Sequence, residues 1–129
     1  MSGRYLLDTN IIIALFAEEQ NILDKILNAA EIYIPTMALG EMYYGAYHSQ
    51  RIQENILKFK EFEIETDILT CNAQTAYVYG KIKAALKKKS TKIPENDIWI
   101  ASLALENDLI LVSRDKHFEH IDTLKLEKW

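Results

Sequence analysis

Four of the nineteen acidic residues in this 129-residue chain stand where a carboxylate is unusual. Asp8 follows the apolar run Tyr5-Leu6-Leu7, and Glu41 lies among Met, Leu and Tyr residues. Asp97 sits between Pro94 and an apolar stretch, and Asp115 comes just after Leu109-Ile110-Leu111-Val112-Ser113. Singly, each has an ordinary explanation: a helix cap for Asp8, a solvated helix face for Glu41, a favourable first-turn charge for Asp97, a turn residue for Asp115. Jointly, they predict several acids gathered at one end of a sheet. Like charges crowded together destabilise a fold unless a cation neutralises them. Oxygen-only ligands select hard divalent ions such as Mg²⁺ or Mn²⁺.

Other chemistries lack their residues. The chain has no G-x-G-x-x-G fingerprint, no phosphate-binding P-loop and no G-x-S-x-G nucleophile elbow. His117 and His120 are three apart, with no cysteine or acidic partner at a standard zinc spacing, so exposed or structural roles are expected for both. Cys71 has no dedicated partner, and a buried or inert thiol is expected.

The elements that must position the four acids follow from periodicity. Residues 5–7 read as a strand, after which Thr9 or Asn10 caps a helix carrying Ile11, Ile12, Leu15 and Phe16. A helix over 21–30 precedes a strand at 32–34 that Pro35 ends. Thr36 then caps a helix with the stripe Leu39, Met42, Tyr43, Ala46 and Tyr47, off which Glu41 points. A helix over 51–61, a strand within 62–69 and a long helix opened by Thr70 come next. Residues 90–94 form a loop. The face Ile98, Ala101, Ser102 and Leu105 marks a helix with Asp97 in its first turn, and 109–113 is a strand buried on both faces. A last strand falls within 124–127. This alternation predicts one domain, 1–129, of three-layer α/β/α type around a central parallel sheet. In such sheets ligands bind beyond the carboxyl ends of the strands, where the strand order switches.

Composition agrees with that architecture. Hydrophobic residues make up 49% of the chain, enough for one core, and four Gly with two Pro argue against a turn-dense β-sandwich. One cysteine fits a reducing compartment. Met1-Ser2-Gly3-Arg4 and the short run ending at Asp8 lack the form of a signal peptide, and no apolar run reaches membrane-span length, so a cytoplasmic protein without a membrane partner is expected. Lys81, Lys83, Lys87, Lys88, Lys89 and Lys92 fall in twelve residues without an acid, leaving −10 on the rest of a chain whose net charge is −4. Such a stretch is either a solubilising helix end or a strip for phosphates.

Leu6-Leu7-Asp8-Thr9-Asn10, Glu41 with Gly45, Pro94-Glu95-Asn96-Asp97 with Ile100-Ala101, and Leu111-Val112-Ser113-Arg114-Asp115 with His117-Phe118 resemble the PIN-domain ribonucleases, in particular the VapC toxins of type II toxin-antitoxin pairs. The similarity spans essentially the whole chain. It implies that Asp8, Glu41, Asp97 and Asp115 are the catalytic, metal-binding quartet, with Thr9, Asn10, Asn96 and Ser113 as polar support. Ser113 stands where the family more often has Thr, and Asn96 matches a common variant. The implied reaction is Mg²⁺- or Mn²⁺-dependent hydrolysis of RNA phosphodiester bonds, leaving a 3′-hydroxyl and a 5′-phosphate, with Glu41 or Asp97 orienting the water. An RNA substrate, an antitoxin and a homodimer are the implied partners. Beside such a site Lys87, Lys88, Lys89 and Arg114 become candidates for RNA contact. Tyr44 and Tyr47 either stack on bases or belong to the core or a dimer face.

Three rival readings are kept. One is a PIN nuclease of RNA processing without an antitoxin, and another is a non-catalytic RNA-binding protein. The third, a phospho-accepting receiver domain, needs a lysine at the end of its last strand, where this chain has only Glu127 and Lys128 at its terminus.

Overall fold

The computed structural model describes residues 3–129, so the Met1-Ser2 part of the amino-terminal stretch considered above lies outside the described residues. In chain order the elements are β1 (Arg4–Leu7), α1 (Thr9–Phe16), α2 (Gln20–Leu27), β2 (Glu31–Pro35), α3 (Thr36–Tyr47), α4 (Ile52–Glu65), β3 (Asp67–Leu69), α5 (Ala73–Lys88), α6 (Glu95–Glu106), β4 (Ile110–Val112), a 3-10 turn (Lys116–His120) and β5 (Leu126–Glu127). All strands are parallel, in the order β3-β2-β1-β4-β5. The expected three-layer α/β/α arrangement is therefore present. From β1 the chain winds outward to β2 and β3, then returns to place β4 on the other side. The order thus switches between β1 and β4.

Neighbouring residues of one strand serve opposite layers, as the pleat requires. Leu6 and Leu111 face a core built with α5, α6 and Phe118, while Leu7, Ile34 and Val112 face a second core built with α1, α2 and α3. Leu6, Leu7, Leu111 and Val112 are fully buried, as strands covered on both faces must be. Among the described residues no helix is long and apolar enough to cross a membrane.

Several local expectations are corrected by tertiary contacts. Asp8 itself caps α1, its side chain accepting the Thr9 amide, so neither Thr9 nor Asn10 is the cap. Pro35 precedes α3 without a side-chain cap, and Thr36 instead donates its hydroxyl to the Leu69 carbonyl at 2.9 Å, tying α3 to β3. Asn72, not Thr70, opens α5 through a reciprocal capping box with Thr75. The strand expected within 62–69 shrinks to three residues because Phe62 stays helical. It packs edge-to-face on Phe16, as Phe59 also does, with centroids 5.2 and 5.3 Å away. Tyr44 and Tyr47 are 66% and 63% exposed, which removes both from the core. The 3-10 turn was not legible in the periodicity.

With so few glycines, three helices end on ordinary residues in the left-handed region: Glu18, Ser90 and Asp108, with φ of 57°, 56° and 52°. The next amide in each case reaches back to Ala14, Leu86 or Ala104, at 3.2, 3.0 and 2.8 Å, the closing bond of a Schellman turn. A side chain in that region costs about 1–2 kcal/mol, offset in part by the greater freedom glycine has when unfolded. Ser90→Gly should therefore raise stability by up to about 1 kcal/mol, and Ser90→Val should lower it. Urea denaturation of the three proteins measures both changes.

Candidate functional site

The carboxyl end of β1 delivers Asp8, and the carboxyl end of β4 delivers Ser113, Arg114 and Asp115. The two ends are joined by backbone and side-chain bonds. Asp8 donates its amide to the Val112 carbonyl at 3.0 Å. One of its carboxylate oxygens accepts the Thr9 amide at 2.9 Å, and the other accepts the Ser113 hydroxyl at 2.7 Å and the Asn10 side-chain amide at 3.4 Å. Ser113 in turn accepts the Asp115 amide at 3.0 Å, and Asn10 accepts the Arg114 amide at 3.1 Å. Asp8 is 6% exposed. Burial pushes its pKa up, the Ser113 and Thr9 bonds oppose that shift, and the charges of Asp97 and Glu41 add to it.

The first turn of α6 contributes Asp97. Its Oδ2 lies 3.0 Å from His117 Nδ1, and the same nitrogen lies 3.0 Å from Asp115 Oδ1. Asp115 also accepts the His117 backbone amide at 3.0 Å, capping the 3-10 turn. Burial raises the pKa of Asp97 while the His117 bond lowers it, and the charges of Asp115 and Glu41 raise it further. The His117 pKa is raised, chiefly by its bond to Asp97; burial opposes that rise, and the charges of Asp115 and Asp97 add to it. Glu41 reaches the same region from α3. Its side chain is exposed, yet its charge acts on both Asp8 and Asp97.

The structure thus brings Asp8, Asp97 and Asp115 together at the switch point, with Glu41 beside them and Asn10 and Ser113 as cross-braces. Thr9 contributes its backbone amide. Its hydroxyl oxygen is buried without a hydrogen-bond partner among the described residues. Asn96 is exposed and outside this network.

Three expectations are refined here. His117 is exposed, as expected, and also bridges two of the acids; its acidic partner at position 97 is supplied by another element, which spacing around the histidine could not show. The signal available in sequence was Asp115, two residues before it. Arg114, a candidate for RNA contact, is engaged within the fold: its guanidinium donates to both Glu19 carboxylate oxygens, at 2.7 and 3.3 Å, and to the Trp129 carbonyl at 2.9 Å. That pairing holds the Glu19 carboxyl below the usual range. Cys71 is exposed rather than buried, although partial burial and the charge of Glu106 push its thiol up, away from the reactive thiolate.

The lysines lie at the same end of the fold. Lys83 pairs with Glu95 at 2.7 Å, one turn-start away from Asp97, and Lys89 bonds the His120 carbonyl and Asp122 at 2.8 and 2.9 Å. Lys83, Lys87 and Lys92 line a hollow of about 690 Å³ beside the start of α6. On the other flank Glu41 joins Ile12, Ile13, Phe16 and Phe59 in a smaller groove of about 240 Å³.

A parallel α/β sheet with acids converging at the switch between its central strands defines the PIN class of domain. The chain matches the PIN domain over residues 5–124 and belongs to that family. It is 36% identical to ribonuclease VapC2 of Haemophilus influenzae (strain ATCC 51907 / DSM 11121 / KW20 / Rd), with 98% of each chain covered. It is 30% identical to the tRNA(fMet)-specific endonuclease VapC of Shigella flexneri, again over 98% of each. The solved VapBC-1 of nontypeable Haemophilus influenzae superposes with a TM-score of 0.90 at 30% identity, covering 97% of both chains.

The pKa directions set a pH dependence for the metal-free protein. A raised His117 pKa gives stability that is complete below about pH 6.5 and is lost as pH rises through the raised value. Asp8 and Asp97 keep protons in the folded state that the unfolded chain releases, so each disfavours folding once ionised. All three effects have one sign. The melting temperature measured in chelator should fall as pH rises above about pH 5, and His117→Ala should flatten the part above about pH 6.5.

Proposed function

We propose that this chain is a metal-dependent endoribonuclease, the toxin of a toxin-antitoxin pair, acting on RNA in the cytoplasm. The observation that carries the reading is the convergence of four carboxylates from β1, α3, α6 and the end of β4 on one strand-order switch. A divalent ion suits that donor set, because Asp97 and Asp115 share one imidazole, the charge of Glu41 acts on Asp8 and Asp97, and the nearby arginine is committed to Glu19. Asp8, Asp97, Asp115 and Glu41 would hold Mg²⁺ or Mn²⁺. When bound, such an ion supplies Lewis acidity at the phosphate and lowers the pKa of water.

The chain's own groups divide the remaining tasks. Asp8 is immobilised by Thr9, Ser113 and Asn10 and anchors the site. Asp97 is engaged by His117, whereas Glu41 is exposed and unengaged, so Glu41 orients the attacking water. The lysine-lined hollow at the start of α6 draws the RNA backbone toward a cleft that would otherwise repel it, with Lys92 joining Lys87, Lys88 and Lys89. Arg114 serves as a clamp for the loop that carries Asp115.

The antitoxin reading draws on the VapC relatives and on a neighbour solved as a VapBC assembly. A C-terminal antitoxin segment would set Arg or Lys against the acids, where a guanidinium makes bidentate contacts, and place apolar side chains in the groove beside Glu41. A homodimer is part of the same proposal.

Expression of the chain should arrest growth and generate new RNA ends, and co-expression of the neighbouring small gene product should relieve both. Asp8→Asn, Asp97→Asn and Asp115→Asn should each abolish cleavage while circular dichroism stays native. Mg²⁺ or Mn²⁺ at a hundredfold excess over its dissociation constant should stabilise the wild type by about 2.7 kcal/mol, most of it lost in Asp8→Asn. Retained cleavage in Asp97→Asn would falsify its place in the quartet. Growth arrest absent in the wild type would favour a processing nuclease.

The lysine assignment has its own measurement. Replacing Lys87, Lys88 and Lys89 together by Ala should weaken RNA binding and reduce the log-log salt slope by up to about 2, at about 0.7 per single-strand phosphate contact. Arg114→Lys should leave that slope unchanged and lower the melting temperature, since lysine cannot bridge both Glu19 oxygens.

A further inference from the structure

The acidic quartet leaves one donor unused. His117 Nδ1 lies 3.0 Å from Asp97 Oδ2 and 3.0 Å from Asp115 Oδ1, and these three atoms lie within 4.8 Å of one another. The two 3.0 Å separations match neighbouring donors on an octahedral ion, which at ligand distances of about 2.1 Å sit about 3.0 Å apart. Two anchors fix the ring in this place. Its backbone amide is held by Asp115, and the next residue, Phe118, is fully buried in the core. Nε2 bonds none of the described residues, and the ring is about half exposed, so the imidazole meets the rest of the protein only through the nitrogen that faces the acids. His120, one 3-10 turn further on, is exposed and makes no such contact.

We propose that His117 is a nitrogen ligand of the divalent ion, which makes the centre a mixed carboxylate-imidazole site that prefers Mn²⁺ to Mg²⁺. The inference rests on the metal-dependent reading above and deepens it. Mg²⁺ favours oxygen donors and dehydrates reluctantly, whereas affinity for an imidazole rises along the first-row transition ions. A neutral His117 adds a donor without adding negative charge to a crowded site.

A second role for the same geometry is a purely positioning one, in which His117 braces the two acids and never touches the ion. The two roles differ in what they do to different metals and to the spectrum of bound Mn²⁺. The experiment uses the full chain at about pH 8, loaded with Mn²⁺ alone, and compares wild type with His117→Ala and His117→Gln. Electron spin-echo envelope modulation should show a directly coordinated nitrogen in the wild type, with the pattern changing on ¹⁵N-histidine labelling and vanishing in both variants. Calorimetric titration should show Mn²⁺ affinity falling about tenfold or more in His117→Ala, while Mg²⁺ affinity changes about twofold or less. Retained Mg²⁺ binding in the variants shows that the site still folds. Mn²⁺ bound in the wild type with oxygen ligands only, or equal losses for the two ions, overturns the ligand role and leaves the brace. A wild type that binds neither ion overturns the metal-dependent reading as well.

Discussion

Mutual repulsion among carboxylates at the carboxyl ends of β1 and β4 is the constraint around which the rest of this molecule is arranged. Asp8 is almost wholly buried and Asp97 is largely so; that burial raises the cost of ionising each, and the charges of Asp97 and Glu41 add to it at Asp8, those of Asp115 and Glu41 at Asp97. Local dipoles and donors meet part of that cost. Asp8 stands at the amino terminus of α1, Asp97 in the first turn of α6, and both are thereby near the positive end of a helix. Ser113, Asn10 and the Thr9 amide hold the charge of Asp8, while His117 holds those of Asp97 and Asp115.

Holding acids together against their repulsion requires a stiff frame. Parallel pairing of β1 with β4 puts Leu7 beside Val112, so Asp8 and Ser113 emerge side by side. Both strands are sealed between two apolar layers, which leaves their ends little freedom to move apart. The Arg114 clamp adds a second tie. It joins the loop carrying Asp115 to Glu19, at the start of α2, and to the Trp129 carbonyl, whose indole packs edge-on against Tyr5 of β1 at 4.9 Å. The loop that supplies one acid is therefore anchored to the layer that supplies another.

Charge is segregated around this centre. The acids converge in the cleft, and lysines from the end of α5 and the following loop stand beside it, some held by Glu95 and Asp122. Such a separation keeps the positive side chains out of the acidic cluster while leaving them close enough for their fields to overlap with it. On the opposite flank, the apolar groove beside Glu41 offers a protein segment a path to the same acids.

Much of this was legible in the order of residues. Apolar runs ending in an acid located β1 and β4, helical stripes located α3 and α6, and alternation of the two implied a parallel sheet, because those signals depend only on local period and burial. The four acids could be named for the same reason, each interrupting an apolar pattern. What the chain order could not contain was proximity between elements. Asp97 meets His117 across twenty residues, Arg114 meets Glu19 across ninety-five, and Phe62 stays helical because Phe16 is there to receive it. Caps moved to Asp8 and Asn72 because side-chain hydrogen bonds are chosen by geometry that propensity only approximates. Residue types and spacing determined which groups could do chemistry, and the sheet order decided which of them share a charge, since Coulomb forces and hydrogen bonds act through space and take no account of sequence separation.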